Sequence, residues 1–457
     1  MTLLQEKVLS LNHVLSPGDT INLAMRMLNC MNREVTSHSF KTAYIALYIS
    51  KFYNMHEDCS VRNLILLSLF HTLGFFHEEI QFNYSPYSSN IDYFSEEKPT
   101  ESKYVFASYY LEYMTPLGQD ARGIAAFSSK YNKSTKLAFY QEDYKNIIYL
   151  AAKIGDFVTK NPDKDLPSDL NELAPDHFDP LIVRAFIKAQ KIYNLVENIK
   201  NDHYQSIITG YLYELKFTQK QTKQLEMLLI YFIDFKSTCT MKHCINTSCF
   251  AFAIGTKMKL NHQELSSLFT SALLHDIGKM ATPQRILEFP GRLTPEDMGI
   301  MRYHVNHSKR LLTGFVPDDI LQNVYRHHEK LNGSGYPSRT PGEEISLIQR
   351  VLTAADITSA LNDSRSYKTE FTKEQTIEIL QEMTDKGELD PKITKIICDN
   401  FDELLVDLKE LQHVLKVDFS QVLSHYNTYL FNDFAEDPAL DIELEEELEP
   451  IEDLEEV

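Results

Sequence analysis

Histidine and aspartate side chains that can bind divalent transition metals are concentrated in the second half of the sequence. In chain order they are His243, His275-Asp276, His304, His327-His328 and Asp356. Imidazole and carboxylate ligands together suit iron, manganese, zinc and similar ions. Adjacent residues on a helix point about 100° apart, so each pair can serve a site only where two metals, or a metal and a second helix, converge. The pattern therefore predicts a dinuclear centre in which the Asp276 carboxylate bridges the two metals.

The elements that must position these residues are predicted to be helices. Gly and Pro are sparse, with 15 and 17 residues among 457, and alternating strand-like runs are rare. Apolar residues recur at helical spacing almost throughout the chain, for example at Leu225, Leu228, Leu229 and Phe232. We therefore predict an all-α protein, with clear loops at residues 289–291 and 333–341, where Gly and Pro cluster.

The chain also repeats one pattern, which predicts two tandem helical modules. His38 is followed by His71 at nearly the same spacing as His243 is followed by His275, and similar residues surround the second histidine of each pair. We assign residues 1–205 to the first module and 206–433 to the second. Residues 434–457 form an acidic tail that is predicted to be disordered, because it combines many charges with few apolar residues.

The first module is predicted to be a degenerate copy without metal. Thr72 stands in the position of Asp276, Lys153 in that of Asp356, and Ser128-Ser129 in that of the histidine pair. Its two remaining histidines cannot hold a dinuclear centre, and a lysine in the cavity would repel cations. We expect this module to be structural or regulatory, and to be where a second copy of the chain or a signalling partner would bind.

Composition excludes several classes of function. The net charge of −20 argues against binding to a nucleic acid polymer, which requires a basic surface. The apolar runs are much shorter than the roughly 20 residues that span a bilayer, so no membrane association is expected. The six cysteines include no CxxC pair and fit reduced thiols. These features together predict a cytoplasmic protein.

Three segments of the second half resemble the HD-GYP domain, a metal-dependent module of the HD superfamily. They are LLHDIGKMATPQRIL at 273–287, GRLTPEDMGIMRYH at 291–304 and YRHHEKLNGSGYPSRTPGEEISLIQRVLTAADITSALNDSRSYK at 325–368. The resemblance covers residues 235–420, approximately, and includes the order of all seven candidate ligands. It implies a bacterial second-messenger enzyme with an all-α fold of HD-type helical bundles.

The resemblance also implies a role for each residue. His243, His275 and Asp356 would bind one metal, and the second metal would be bound by His304, His327 and His328. Asp276 would bridge the metals, and Lys279 would contact a substrate phosphate, so these two residues would be catalytic. The substrate would also contact the loop residues Gly335, Tyr336 and Pro337 and the cations Arg365 and Lys368.

Three positions depart from the family pattern. Cys239 stands where some members have a glutamate and a third metal, so two metals are expected here. Ser359 and Asn332 replace two aspartates that the family often carries. These changes leave the seven candidate ligands intact and bear on substrate preference and rate.

The implied activity is hydrolysis of cyclic di-GMP to linear pGpG, and onward to GMP, by a hydroxide that two iron or manganese ions activate. One alternative keeps the chemistry but takes 3′3′-cyclic GMP-AMP (cGAMP) as substrate. A different HD-type nucleotide phosphohydrolase is a third interpretation, which the Gly-Tyr-Pro loop disfavours. A fourth is a non-catalytic signalling module that keeps its metal for structure.

Overall fold

We analysed a computed structural model of the chain, which describes residues 2–11, 14–76, 99–127, 137–173, 178–234, 238–289, 291–363, 371–415, 422, 424–426 and 428. Within these ranges every regular element is a helix and no strand occurs. The prediction of an all-α protein is confirmed. The proposed acidic tail and the pair Ser128-Ser129 lie outside the described residues.

The helices of the first half surround one apolar core, except for the first of them, which packs on the helix Phe401–Leu415. They are α1 (Leu3–Leu9), α2 (Pro17–Met31), α3 (Arg33–Ile49), α4 (Val61–Phe70), α5 (Pro99–Met114), α6 (Arg122–Ala125), α7 (Phe139–Lys160), α8 (Pro180–Tyr193), α9 (Leu195–Lys200) and α10 (His203–Leu212). The start of α2 follows from its sequence, because the Ser16 hydroxyl accepts from the Asp19 backbone N–H and Pro17 takes the first helical position. The module boundary proposed after residue 205 falls within α10 and stays a proposal.

The second half continues with α11 (Gln219–Asp234), α12 (Thr238–Lys257), α13 (His262–Leu274), α14 (Gln284–Leu287), α15 (Pro295–Arg302), α16 (His304–Leu312), α17 (Asp318–Tyr325), α18 (Leu347–Asn362), α19 (Lys373–Asp385), α20 (Pro391–Asp399) and α21 (Phe401–Leu415). A short 3₁₀ helix, Ile277–Ala281, follows α13. Capping boxes set the starts of α13 and α18, where Asn261 pairs with Glu264 and Ser346 with Gln349.

The two halves share part of one apolar core. The helical pattern noted in α11 is buried, since Leu225, Leu228, Leu229 and Phe232 are each at most 1% exposed, and this helix packs on α2. The same core also contains residues near the candidate metal ligands, namely Leu274, Ile277, Met280 and Leu311. Because burying each such side chain contributes about 1.5–3 kcal/mol, the halves stabilise each other.

Arg26 of α2 joins the halves by a polar contact. Its guanidinium Nη1 donates to the backbone carbonyl of Leu311 at 2.9 Å and of Thr313 at 3.1 Å. The same guanidinium lies 4.2 Å from the ring centroid of Phe315. The last carbonyls of a helix have no partner within it, so this cation satisfies and stabilises the end of α16.

In the described part of the chain, none of the helices combines the length and the apolar character that a membrane crossing requires.

Candidate metal centre and active site

The fold brings the seven candidate ligands to one buried place. His243 lies within α12, Asp356 lies within α18, and His304 begins α16. The pair His275-Asp276 directly follows α13, and the pair His327-His328 lies just after α17. Among the described residues, three groups of three have ligand atoms within 4.8 Å of one another: His304, His327 and His328; His243, His275 and Asp276; and His275, His327 and Asp356. Residues about 110 positions apart in sequence thus meet, as the ligand pattern predicts.

Three of the histidines are held in one tautomer by the backbone. The Nδ1 atoms of His275, His304 and His327 lie 2.7, 2.8 and 2.6 Å from the carbonyl oxygen three residues earlier. A carbonyl only accepts, so each Nδ1 carries the proton and each Nε2 presents its lone pair. Burial lowers the pKa of His304 to about 4, which keeps this imidazole neutral near pH 7. Neutral rings with a free Nε2 are the form that binds metals.

The two carboxylate oxygens of Asp276 face different histidines. Oδ1 lies 3.2 Å from His304 Nε2 and 3.9 Å from His327 Nε2. Oδ2 lies 3.3 Å from His275 Nε2 and 3.9 Å from His243 Nε2. One carboxylate therefore lies between two ligand clusters, which is the arrangement a bridging ligand requires.

Unpaired polar atoms at this place fit metal ions. His275 Nε2 and Asp276 Oδ1 are buried and have no hydrogen-bond partner among the described residues. A buried polar atom without a partner costs about 1–3 kcal/mol, so such atoms indicate a missing ligand. Five imidazoles and two carboxylates are also a donor set that iron, manganese and zinc accept. The residues present therefore fit a pair of divalent ions.

Lys279 contacts Asp276 from the neighbouring 3₁₀ helix. Its ammonium bonds to Oδ2 of Asp276. Burial alone would raise the pKa of the Asp276 carboxyl, but the Lys279 ammonium and the histidines outweigh it and hold this pKa well below its usual range. The carboxylate is thus charged and available as a ligand. A metal ion bound to the same oxygen would repel the Lys279 ammonium. This repulsion would favour a Lys279 rotamer that points towards the adjoining cavity.

His243 is oriented by a residue that we did not predict from the sequence. Its Nδ1 lies 2.9 Å from Asp363 Oδ2, and its Nε2 lies 2.8 Å from Asp356 Oδ1. Asp363 is fixed in turn by Asn246 Nδ2 at 2.5 Å and by the Ser359 hydroxyl at 3.2 Å. Ser359 is the position where the family often has an aspartate, and here a carboxylate four residues later serves His243. The signal for Asp363 in the sequence is its spacing from Ser359, which is four residues, or about one helical turn.

We predict that Asp363→Asn weakens metal binding without unfolding the protein. Partners that orient a metal-binding histidine typically contribute about 10–100-fold to metal affinity or activity. Metal content after dialysis against graded metal concentrations measures this change. The control is Asp385→Asn, which alters an exposed aspartate at the end of α19. Equal metal affinity in the two variants would show that Asp363 does not support the centre.

The Gly335-Tyr336-Pro337 loop forms one wall beside the centre and is held by a buried carboxylate. Glu329, which is 1% exposed, accepts from the backbone N–H groups of Ser338 at 2.7 Å and Thr340 at 3.1 Å. Gly335 is required by close packing, because a Cβ there would lie 2.5 Å from the His328 carbonyl oxygen. Glu329 lies in the third segment that resembles the family. The sequence alone does not show that its carboxylate accepts from Ser338 and Thr340.

We predict that Glu329→Gln loosens this loop. The amide oxygen cannot replace two charged acceptors, and its NH₂ group would face a backbone donor. Leaving one such donor unsatisfied lowers the free energy of unfolding by about 1–3 kcal/mol. Urea denaturation measures the loss, with the exposed Glu378→Gln on α19 as control. Unchanged stability relative to that control would contradict the proposed role.

A cavity of about 480 Å³ opens beside the metal ligands. Lys279, Gly335 and Tyr336 line it, and so do two cations that we did not predict, Arg302 and Lys330. The Arg302 guanidinium lies 5.2 Å from the Tyr336 ring centroid, and this ring lies 4.6 Å from the His328 ring. The predicted cations Arg365 and Lys368 fall outside the described residues.

The equivalent place in the first half has a different contact pattern. His38 Nε2 lies 3.2 Å from His71 Nε2, and His38 Nδ1 lies 2.9 Å from Asp156 Oδ1. Lys153, which the sequence aligns with Asp356, has its ammonium 5.5 Å from the Tyr149 ring centroid. Asp156, three residues later on α7, provides the carboxylate that faces the cavity. Among the described residues, no group of metal ligands includes His38 or His71.

Comparison with known proteins finds one matching family and several similar enzymes. The model of a family described as "HD domain" matches residues 223–393. The chain is 25% identical to 3′3′-cGAMP-specific phosphodiesterase 1 of Vibrio cholerae over 302 residues, which are 65% of this chain and 69% of the relative. It is 33% identical to 3′3′-cGAMP-specific phosphodiesterase 2 of the same organism, over 41% of this chain and 36% of that one.

A relative named for another substrate also matches part of this chain. The cyclic di-GMP phosphodiesterase response regulator RpfG of Xanthomonas campestris is 33% identical over 152 residues, or 32% of this chain and 40% of the relative. The chain thus spans less than half of the length of this relative and of the second Vibrio enzyme.

A solved structure extends the similarity to both halves. The crystal structure of a cyclic GMP-AMP-specific phosphodiesterase of V. cholerae superposes with a TM-score of 0.50 and 17% identity, and covers 86% of this chain and 97% of that one. At this identity the match concerns the fold alone. The sequence matches support one conclusion: residues 223–393 carry an HD domain, and the relatives that match this chain are named cyclic dinucleotide phosphodiesterases.

Proposed function

We propose that this chain is a metal-dependent phosphodiesterase that hydrolyses a cyclic dinucleotide at the centre around Asp276. The observation that carries the proposal is the position of this carboxylate, with its two oxygens facing two separate histidine clusters. The cavity beside this centre is lined by Lys279, Arg302 and Lys330, and these cations suit a substrate with two phosphates. The cavity volume of about 480 Å³ also lies within the range of pockets that bind small ligands.

The ligand residues divide into two sets in this proposal. His243, His275 and Asp356 would hold one ion, and His304, His327 and His328 the other, with Asp276 shared. When bound, two divalent ions lower the pKa of a water and neutralise charge on a phosphate. His243 Nε2 must release its proton for this, since Asp356 and Asp363 outweigh the effect of burial and raise the pKa of His243 to about 9.

The residues around the cavity would bind and orient the substrate. The ammonium groups of Lys279 and Lys330 and the guanidinium of Arg302 present positive charge to the two phosphates. The Tyr336 ring offers a surface on which a base can stack. Water would add to one phosphorus, the bond from phosphorus to the ribose 3′-oxygen would break, and that oxygen would take a proton. The product is a linear dinucleotide with a 5′-phosphate, which is pGpG when the substrate is cyclic di-GMP.

We also propose 3′3′-cGAMP as a second candidate substrate. The alignment with the first Vibrio enzyme runs over 302 residues, which is longer than the HD domain match at 223–393. The similarity to that enzyme thus extends beyond the catalytic module. Iron or manganese as the metal, and a bacterial cytoplasm as the location, belong to this proposal and are supported by the donor set and by the lack of CxxC pairs.

The test is direct hydrolysis by purified protein. The full chain, loaded anaerobically with iron or with manganese, is incubated separately with cyclic di-GMP and with 3′3′-cGAMP, and products are separated by chromatography. We expect a linear dinucleotide from at least one substrate, and the ratio of the two kcat/KM values decides between them. If protein that holds two metal ions per chain cuts neither substrate, the proposal fails.

A further inference from the structure

The first half contains a second cavity, which is separate from the metal centre. Its volume is about 530 Å³, and it shares no lining residue with the cavity beside Asp276. It lies over the His38–Asp156 contact, between the start of α3 and the end of α7. Its charged lining residues besides His38 are Arg33, Glu34, Lys41, Asp156 and Lys160.

One cation in this cavity, Lys41, is held by a hydroxyl group, while Asp202 and Asp156 act on its ammonium from beyond ion-pair distance. The Lys41 ammonium donates to Thr159 Oγ1 at 2.8 Å and lies 5.6 Å from the Tyr204 ring centroid. Within the part of the chain that the structure describes, it forms no ion pair. Its side chain is half-buried, and burial lowers the pKa of this amine. A half-buried ammonium without a carboxylate partner is stabilised when an anion enters.

The acidic residues of the lining do not cancel this positive charge. Asp156 Oδ1 is engaged by His38 Nδ1 at 2.9 Å, while Glu34 is exposed beside Arg33 in the first turn of α3. Three cations therefore face two carboxylates, in a chain whose overall charge is −20. The lining of this cavity thus carries more positive than negative side chains, unlike the chain as a whole. This local charge favours the binding of a negatively charged ligand.

The uncharged part of the wall combines hydroxyl residues with two apolar side chains that could contact a planar organic group. Phe75 is 5% exposed and Val35 is 3% exposed, and both line the cavity. Ser37 and Thr159 also line the cavity, and the Thr159 hydroxyl accepts from Lys41. A ligand that satisfies both sides carries a phosphate at one end and a ring at the other.

From this lining we infer that the first half binds a nucleoside monophosphate, with its phosphate at Lys41 and Arg33 and its base against Phe75 and Val35. This site goes beyond the proposed hydrolysis and does not depend on it. A degenerate metal site would in this way have become a ligand-binding site.

The experiment uses the full-length Asp276→Asn protein, so that binding at the metal centre does not contribute a turnover signal. Calorimetric titration with 5′-GMP and with 5′-AMP should show one bound nucleotide per chain for at least one of them. Adding Lys41→Met should weaken binding by about tenfold or more, since a charged contact is lost. Lys188→Met, which alters an exposed lysine on α8, should leave it unchanged.

Two further measurements keep the result decisive. Arg33→Glu changes an exposed residue and should also weaken binding, so a folding defect of the Lys41 variant cannot explain both losses. Inorganic phosphate should bind more weakly than the nucleotide. The inference is overturned if neither nucleotide binds at millimolar concentration, if phosphate alone binds equally well, or if all three lysine and arginine variants behave alike.

Discussion

Asp276→Asn should abolish turnover and remove most of the bound metal. The substitution keeps the size of the side chain but leaves one weak oxygen donor where two charged oxygens face His304 and His275. Removing one fixed group that stabilises the transition state costs about 10²–10³-fold, and loss of the shared ligand should cost at least as much. Product chromatography measures turnover, and elemental analysis of dialysed protein measures the metal.

The matched control is the exposed Asp385→Asn, which should retain both activity and metal. Full turnover by the Asp276 variant would contradict the proposed centre. If that variant instead retains two ions per chain and loses only turnover, Asp276 is not the bridging ligand and acts in another way.

Gly278→Ala should also cause a large loss, through packing rather than charge. A Cβ at this position would lie 2.0 Å from the His304 carbonyl oxygen and 2.4 Å from the Ser308 backbone nitrogen. Both are backbone atoms of α16, so the helix itself must move and carry the His304 ring with it. A misplacement of about 1 Å near reacting groups can cost 10²-fold in rate, and overpacking costs about 1–3 kcal/mol in stability.

Gly299→Ala provides the control for this prediction. Gly299 is exposed within α15, and no atom lies within 4 Å of a Cβ built there. Alanine in a helix is favoured over glycine by about 0.5–1 kcal/mol, so this variant should be slightly more stable. Thermal melting and the hydrolysis assay, applied to both variants, compare the effects. If the two variants have equal activity, the contact between Gly278 and α16 has no role in positioning His304.

The sequence predicted those features of the site that depend on residue type and order. The His-Asp and His-His pairs and Asp356 were identifiable because metal ligands come from few residue types. The helical fold followed from apolar spacing, as in α11. Both predictions needed only local patterns, and the fold then brought these residues together.

The supporting contacts could not be predicted in the same way. Asp363, Arg302 and Lys330 are ordinary charged residues in the sequence, and their importance depends on which side chains the fold places beside them. Asp156 belongs to the same group, since it is an ordinary carboxylate in the sequence and only the fold shows that it contacts His38 Nδ1.

The contact of Arg26 with the end of α16 has a consequence for how the chain could have evolved. In the proposed two-module organisation, a first half without metal ligands would normally be free to shrink or disappear. Here its second helix caps the helix that begins with His304, and its apolar residues complete the packing around Ile277 and Leu311. Deleting the inactive copy would therefore uncover apolar surface and free an unpaired helix end. Selection on the active half is then enough to preserve the inactive one, even without any signal for it to sense.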